Sequence, residues 1–429
     1  MTRLQSTDAK RERAIVVGVD RPGLDWPLDD SLAELERLAQ TDGAEVVGRE
    51  IQRLTRIVPK THIGSGKAQE IADRAKAQNV DVVIFDDELS PSQQANLERV
   101  MGEGIKVIDR TALILDIFGK HATTKEGKLQ VQLAQNQYVL PRLRGMWSHL
   151  VSEQTRGGIG SRFGQGESQL EVDRRLIRKR ISSLKSELGR LERRRQIQSK
   201  ARWDSGIFRV ALVGYTNAGK STLLNTLTGA NAYVRDELFA TLDPTTRTFA
   251  LEEGREVTLT DTVGFVQKLP TMLVEAFKST LAEVLAADLL LLVADAHDPN
   301  VRKQIASVVD VLAEIGASEI RSVVVYNKCD LLEEKNFDSL RSNNPDALYI
   351  SALSGKGVTG LAYRISKEAS RDEETLTVRI PYGKGSLVGS IHERCRVMHE
   401  QYEHDGLVAT VKASGRMKAL LAPYVIEEQ

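Results

Sequence analysis

A multidomain α/β fold is what this sequence predicts. A phosphate-binding-loop (P-loop) domain at 206–370 is preceded by a small α/β domain at 1–126 and an antiparallel helical hairpin at 127–205, and followed by a small α/β C-terminal module at 371–429. Three observations predict it. The chain, at 429 residues and 47.5 kDa, is too long for one hydrophobic core. Short β-branched runs alternate with amphipathic stretches through the first hundred or so residues. An apolar run from Arg209 to Val213 feeds directly into a glycine-rich turn and then a helix.

Composition narrows the classes. With 41% hydrophobic and 28% charged residues the chain reads as soluble and globular. The longest apolar run, Ala286 to Ala294, contains Asp288 and is far short of the roughly 18 residues a membrane span needs. Met1 to Arg13 is polar with both charge signs and does not read as a secretory signal. Cys329 and Cys395 lie far apart, which points to a reduced compartment without a disulfide framework. The 7 histidines show no metal-ligand spacing and read as surface or packing residues. Net charge is zero, yet Arg142 to Asp204 holds 16 Lys/Arg against 7 Asp/Glu, so the middle of the chain expects an acidic partner.

In the N-terminal domain, strand signals at Ala14–Val19, Glu45–Ile51, Asp81–Phe85 and Ile105–Ile108 alternate with helix signals at Ser31–Ala39, Ala68–Ala77 and Ser92–Met101. That alternation predicts a mainly parallel sheet. Gly64-Ser-Gly-Lys67 invites a second phosphate loop, but Thr61 stands where the first Gly belongs and Ala68 where Ser/Thr belongs, so it reads as a helix start. Asp86, Asp87 and Glu88 read as a solvated loop end.

From Gly127 to Leu140, Leu129, Leu133 and Leu140 fall at coiled-coil spacing with Asn136 in the remaining seam slot, and Pro141 is expected to end that helix. A second helix from Ser168 to Lys200 carries Leu170, Ile177, Ile181, Leu184, Leu188 and Leu191. Two such seams in succession predict a hairpin. Its outward face holds Arg174, Arg175, Arg178, Lys179, Arg180, Arg193, Arg194 and Arg195. The connecting loop is expected to add Arg142, Arg144, Arg156 and Arg162, with Met146, Trp147 and Phe163 among glycines. Basic groups and aromatics on a glycine-rich tip suit phosphate contacts and stacking on unpaired bases, so structured RNA is preferred to a merely solvated basic face.

Gly214, Tyr215, Thr216, Asn217, Ala218, Gly219, Lys220 and Ser221, followed by Thr222, match G-x-x-x-x-G-K-[ST] without a mismatch. Backbone N–H groups of such a turn wrap a polyphosphate where no side chain intervenes; Lys220 then meets the β/γ-phosphates and Ser221 holds Mg²⁺. Val257–Leu259 leads into Asp261-Thr262-Val263-Gly264, a D-x-x-G in which Asp261 can orient a water on Mg²⁺ and the Gly264 N–H can reach a γ-phosphate. After strands at Leu289–Val293 and Ser322–Tyr326 comes Asn327-Lys328-Cys329-Asp330, an N-K-x-D whose carboxylate can accept from guanine N1–H and the 2-amino group. Ser351-Ala352-Leu353 places N–H groups near the base carbonyl. Four motifs in this order predict a guanine-nucleotide site and a GTPase. Between the first two, Phe239 to Arg247 occupies the switch position, where Thr241, Thr245 or Thr246 could each ligand Mg²⁺; spacing does not choose among them.

In Ras the residue after D-x-x-G is a Gln that orients the attacking water; here it is Phe265. Restoring what a slow GTPase lacks is worth about 10⁵ in rate, or roughly 7 kcal/mol of barrier, so intrinsic hydrolysis is expected to be slow. Arg247 is a distant candidate for an internal arginine finger. The tail reads as strand Leu376–Ile380, helix Ser386–His399, strand Leu407–Val411 and helix Arg416–Ala422, with no chemistry to name.

These residues resemble the HflX family of ribosome-associated GTPases. Gly157-Gly-Ile-Gly, then Gly166-Glu-Ser-Gln-Leu-Glu-Val-Asp-Arg-Arg175, is similar to its hairpin signature with Ser168 and Val172 as departures; Ile108 to Phe118 and Gly127 to Ala134 resemble its N-terminal block. The resemblance implies a cytoplasmic, monomeric GTPase that cycles between GTP and GDP, binds the large ribosomal subunit and its RNA, and splits stalled or idle 70S ribosomes, notably under heat stress. It implies that Phe239, Ala240, Thr241, Leu242 and Asp243 form the switch nucleotide segment, with Thr241 joining Ser221 on Mg²⁺ and Lys220, Thr241 and Gly264 acting in catalysis. It also implies that the N-terminal and hairpin domains restrain the GTPase domain until the ribosome engages. Asn217 resembles its counterpart in tRNA-modification GTPases, where it helps hold a K⁺; the other reading is that it only stabilises the loop. Rival readings are a GTP-dependent assembly factor for the large subunit that splits nothing, and an ATP-driven RNA remodeller, against which Asp330 argues.

Overall fold

In the computed structural model the described residues are 11–154, 165–203, 207–229, 238–239, 241–251, 256–268, 270, 278–371 and 373–426. The chain divides into two compact units. The first takes in Met1–Gly189 and, from later in the sequence, Leu238, Phe239, Gln267, Lys268 and Pro270; the second takes in Arg190–Asp236, Ala240–Val266 and Lys278–Gln429.

In the first unit β1 (Arg13–Asp20), α1 (Leu28–Asp42), β2 (Glu45–Arg53), α2 (Ser65–Ala77), β3 (Val82–Phe85), α3 (Pro91–Met101) and β4 (Lys106–Asp109) follow one another as the alternation predicts. The strands are all parallel, in the order β2-β1-β3-β4. Ile15, Val17, Val83, Phe85 and Val107 bury one sheet face against Ile71, Ala75, Leu97 and Met101. Each fully buried aliphatic side chain contributes about 1.5–3 kcal/mol, which is why these short strands hold without charged positions in their middle. Gly64 is the N-cap of α2, and Lys67 is ion-paired with Glu50 at 2.6 Å and Glu70 at 2.8 Å, so this turn is a helix start.

A helix that sequence pattern did not mark, α4 (Arg110–His121), leaves β4 without an intervening loop. Asp109 makes this possible by accepting the Ala112 N–H at 2.9 Å, as an N-cap does. No Gly or Pro punctuates the junction, so the boundary carries no local signal.

The next helix, α5 (Lys125–Gln154), corrects the expectation that Pro141 ends it: the helix passes through Pro141. Proline removes one backbone donor and strains the preceding turn, at a cost near 3 kcal/mol. The residues on either side are anchored strongly enough to offset it. Tyr138 donates its hydroxyl to Asp109 at 2.9 Å, and Arg142 donates to Gln94, the Leu89 carbonyl and Asp109. Residues 155–164 lie outside the described residues, and α6 (Gln165–Trp203) follows. Leu184 is fully buried, while Ile177, Ile181, Leu188 and Leu191 are half-buried, so the apolar seam is the less exposed side of the helix.

The second unit holds a six-stranded sheet of order β10-β9-β8-β5-β7-β6. Its elements are β5 (Phe208–Gly214), α7 (Lys220–Thr228), β6 (Thr245–Ala250), β7 (Glu256–Asp261), α8 (Lys278–Leu285), β8 (Leu289–Asp295), α9 (Val301–Glu314), β9 (Ser322–Asn327), α10 (Glu334–Asn343), β10 (Leu348–Tyr349) and α11 (Val358–Ala369). Only β6 is antiparallel to its neighbour, and it takes up the stretch in which Thr245 and Thr246 were metal candidates. Leu212, Leu259, Leu291 and Val325 line one core face with Leu223, Leu227, Leu361 and Ile365.

At the C-terminal end are β11 (Glu373–Pro381), α12 (Gly385–Arg394), β12 (Arg396–Glu403), β13 (Gly406–Ser414) and α13 (Gly415–Leu421), with strand order β11-β13-β12. The expected helix to His399 stops at Arg394, and Arg396–Glu403 is a strand. Pairing with β13 across the tight turn at His404-Asp405 overrides its weak helical pattern. No described helix is long and apolar enough to cross a membrane.

Candidate guanine-nucleotide site

The four sequence motifs meet at the carboxyl ends of the parallel strands of the second unit, where open α/β sheets bind ligands. β5 delivers Gly214 and the turn to α7. Gly214 has φ +152° and a Cβ there would sit 2.1 Å from the Val293 carbonyl oxygen; at Gly219, with φ +90°, a Cβ would sit 2.2 Å from Asn327 Nδ2. Glycine is therefore required at both ends of the turn by close approach of β8 and β9. Asn217 has φ +60°, a left-handed conformation that Asn tolerates better than most residues.

Lys220 is buried and donates to the Gly214 carbonyl at 3.1 Å and the Tyr215 carbonyl at 2.9 Å. Burial pulls its ammonium down to about 8, with the Asp261 carboxylate opposing. Burial likewise raises Asp261, against Lys220 and its hydrogen bonds. Ser221 Oγ donates to Asp261 at 2.6 Å and lies 2.9 Å from Thr241 Oγ1. Thr241 thus faces Ser221, whereas Thr246 pairs with Thr260 at 2.9 Å within the sheet. Arg247 is exposed on β6.

Asn327 ties three motifs together. Its amide donates to the Ala218 carbonyl at 2.8 Å and its oxygen accepts the Ala352 N–H at 2.9 Å. Lys328, at φ +62°, is ion-paired with Asp295 at 2.8 Å. Asp330 and Leu353 are exposed, Ser351 and Ala352 buried, and Cys329 half-buried with its thiol pushed up to about 11 by burial. Thr262 donates to the Leu212 carbonyl at 2.7 Å. Thr216, Val263, Gly264, Leu242 and Asp243 lie in the same turn-rich region, and Thr222 starts the helix face. Ala240 lies outside the described residues.

Three family models match in succession. "GTP-binding GTPase N-terminal" covers residues 29–119, "GTP-binding GTPase Middle Region" covers 121–202, and "50S ribosome-binding GTPase" covers 209–328. The GTPase HflX of Caldanaerobacter subterraneus subsp. tengcongensis is 46% identical over 97% of this chain and 94% of its own. This chain belongs to the HflX family of GTPases. The GTPase HflX of Escherichia coli is 44% identical over 89% of this chain and 88% of its own. A solved GTP-binding protein from the archaeon Sulfolobus solfataricus, in complex with GDP, is 24% identical with a TM-score of 0.43 over 84% of this chain and 99% of its own. As an HflX-family member the chain is a GTPase with a ribosome-binding GTPase domain.

The basic residues expected on a hairpin fare unequally. Arg175, Arg178, Lys179 and Arg180 are exposed on α6, Arg180 donating to Gln132 at 3.0 Å. Arg174 is mostly buried beside Glu171. Arg144 and Trp147 belong to α5, not to a connecting loop. Arg142 too is helical and not in a connecting loop: its guanidinium lies 3.4 Å over the Tyr138 ring and donates to Asp109, Gln94 and the Leu89 and Tyr138 carbonyls. Four of its five N–H donors are thus committed within the fold. Arg156, Arg162 and Phe163 lie outside the described residues.

Sequence reasoning missed a second set of residues, all in the first unit. Arg110 is fully buried between Glu34 at 2.8 Å and Asp86 at 2.5 Å. Lys268 is ion-paired with Asp86 and, at 3.0 Å, with Asp87, while Glu34 accepts the Gln267 N–H at 3.1 Å. Asp86 and Asp87 are thus not a solvated loop end. Burial would raise both, but Arg110 and Lys268 on Asp86, and His62 and Lys268 on Asp87, hold them below the usual carboxylate value. Phe239, at φ +58°, is buried edge-on against Phe118 at 4.5 Å, and its carbonyl is 2.9 Å from His121 Nδ1. No spacing signals these partners, because they join residues from about 24 to more than 200 positions apart.

Proposed function

We propose that this GTPase binds the large ribosomal subunit and, in its GTP form, splits stalled or idle 70S ribosomes, with hydrolysis to GDP and phosphate stimulated by the ribosome. The observation that carries the reading is the row of exposed cations, Arg175, Arg178, Lys179 and Arg180, on a 39-residue helix attached in sequence to the nucleotide domain. Such a row suits the phosphate backbone of ribosomal RNA. The four-domain division at 126/127, 205/206 and 370/371, a cytoplasmic site, a monomeric state and a part in heat stress belong to the same proposal.

In the nucleotide site, Asp330 would accept from guanine, and Lys220 and the 214–221 backbone would hold the β/γ-phosphates. Residues present fit Mg²⁺: the Ser221 and Thr241 hydroxyls are 2.9 Å apart, and Asp261 Oδ1 is buried with no hydrogen-bond partner among the described residues. These are hard oxygen donors of the kind that ion takes, with water completing the shell. When bound, the ion supplies positive charge against the β/γ oxygens. The Gly264 N–H would orient the γ-phosphate. Asn217 would either help hold a K⁺ or brace the loop; comparing hydrolysis in KCl and NaCl decides it.

The hold on Phe239 by Phe118 and His121, and on Gln267 and Lys268 by Glu34, Asp86 and Asp87, supports a further part of the reading: the N-terminal domain restrains the switches until the ribosome engages. Sucrose-gradient profiles of 70S particles with GTP, GDP and a non-hydrolysable analogue test the whole. Splitting with GTP and the analogue but not with GDP is expected. An unchanged 70S peak, with the protein on the large subunit, would replace it by the assembly-factor reading.

A further inference from the structure

We propose that the Thr216 hydroxyl is a catalytic group of this GTPase, contacting the γ-phosphate and the attacking water in place of the glutamine that Phe265 displaces. The inference rests on GTP hydrolysis, not on any ribosomal role.

Phe265 cannot serve. Its ring is buried at 3% exposure, and its backbone is locked on both sides: Phe265 N–H donates to the Gly214 carbonyl at 3.1 Å, and the Thr216 N–H donates to the Phe265 carbonyl at 2.8 Å. That pairing continues the strand ladder as a parallel bridge between Tyr215 and Phe265, so the residue after D-x-x-G is a structural tie to the phosphate loop. Water must be ordered by another group.

Hydroxyls around the loop can be sorted by what they already do. Ser221 and Thr241 are engaged with each other and with Asp261. Thr262 donates to the Leu212 carbonyl. Thr216 Oγ1 is buried, on a residue 7% exposed, and has no hydrogen-bond partner among the described residues. Leaving a buried hydroxyl unpaired costs about 1–3 kcal/mol, a penalty that a substrate can relieve.

Its position is the relevant one. A Cβ built on Gly264 would lie 2.7 Å from Thr216 Cγ2 and 3.1 Å from Lys220 Nζ, so the glycine whose N–H orients the γ-phosphate has both Thr216 and the phosphate-binding lysine as immediate neighbours. Rotation of about 120° about χ1 exchanges the methyl and the hydroxyl between staggered wells without moving the backbone. The hydroxyl then accepts from the attacking water and donates its own hydrogen to a γ-phosphate oxygen. Water oxygen bonds to the γ-phosphorus, the bond to the β–γ bridging oxygen breaks with its electron pair going to GDP, and the water proton ends on the released phosphate. Thr216 neither gains nor loses a proton overall.

Thr216→Val keeps the branched shape that packs on Gly264 and removes only the hydroxyl; Thr216→Ser keeps the hydroxyl. Single-turnover GTP hydrolysis, GDP affinity and capture of GDP with aluminium fluoride are measured for both in the full chain. Expected for Thr216→Val is a loss of about 10–10²-fold in the hydrolysis step. GDP affinity should stay within about twofold and the aluminium fluoride complex should be lost, while Thr216→Ser retains the complex and a rate within about threefold of the parent. Wild-type hydrolysis by Thr216→Val would overturn the proposal. So would parallel loss of GDP binding in Thr216→Val, which would make the hydroxyl a brace for the loop. Neither outcome touches the ribosome reading, which the gradients test separately.

Discussion

Two glycine-rich turns in this chain each lead into a helix and each carry a lysine, yet they differ in what surrounds that lysine. At Gly64-Ser-Gly-Lys67 the ammonium is 2.6 Å from Glu50 and 2.8 Å from Glu70, and is neutralised within the fold. At Gly214 to Ser221 the ammonium of Lys220 is buried, bonded among the described residues to two carbonyls of its own loop, and its charge is destabilised by burial. A lysine already paired with carboxylates has no call on an anion; a buried one bonded to carbonyls does. The difference between a helix start and a phosphate site thus lies in the partners that the tertiary structure supplies: ion-paired carboxylates at Lys67, and at Lys220 backbone carbonyls with Asp261 acting through its charge.

The largest test of that contrast is Lys220→Ala, which should lower GTP hydrolysis by about 10²–10³-fold or more. Lys67→Ala should leave hydrolysis unchanged and cost the first unit only about 1–2 kcal/mol, because Arg74 also pairs with Glu50. Equal loss in both variants would erase the distinction. Next, Asp330→Asn should weaken GTP by at least about 10²-fold, since an amide presents a donor where guanine needs two acceptor contacts; nucleotide titration reads it directly.

Smaller effects sharpen the comparison on the cationic side. Replacing Arg175, Arg178, Lys179 and Arg180 with Glu should weaken sedimentation with large subunits about tenfold or more, lower the salt dependence of binding, and leave GDP affinity unchanged. Lys268→Ala removes the ion pairs with Asp86 and Asp87 and should raise basal hydrolysis a few-fold if the N-terminal domain restrains the switches. An unchanged basal rate would count against restraint.

Those two carboxylates also set a pH window. Because Asp86 and Asp87 titrate below their unfolded value of 3.8, the stability they add is fully present above about pH 4 and is lost as pH falls further. An acid melt of the first unit should therefore lose stability below pH 4, and less of it in Lys268→Ala.

The sequence alone determined the four nucleotide motifs with the short apolar strands that lead into them, the mainly parallel sheet of the N-terminal domain and the basic character of α6. Backbone N–H cradles, buried strands and runs of arginine are written in neighbouring residues, so they can be read without knowing what lies across the fold. Tertiary structure alone decided that Thr241 and not Thr246 faces Ser221, that Arg142 is consumed by Asp109 and Tyr138, and that α5 passes through Pro141. It alone decided, too, that Asp86 and Asp87 are clamped by Arg110 and Lys268. The reason is common to all four. A side chain's charge, hydrogen-bonding capacity and strain are settled by partners far away in sequence, and folding alone brings those partners within reach.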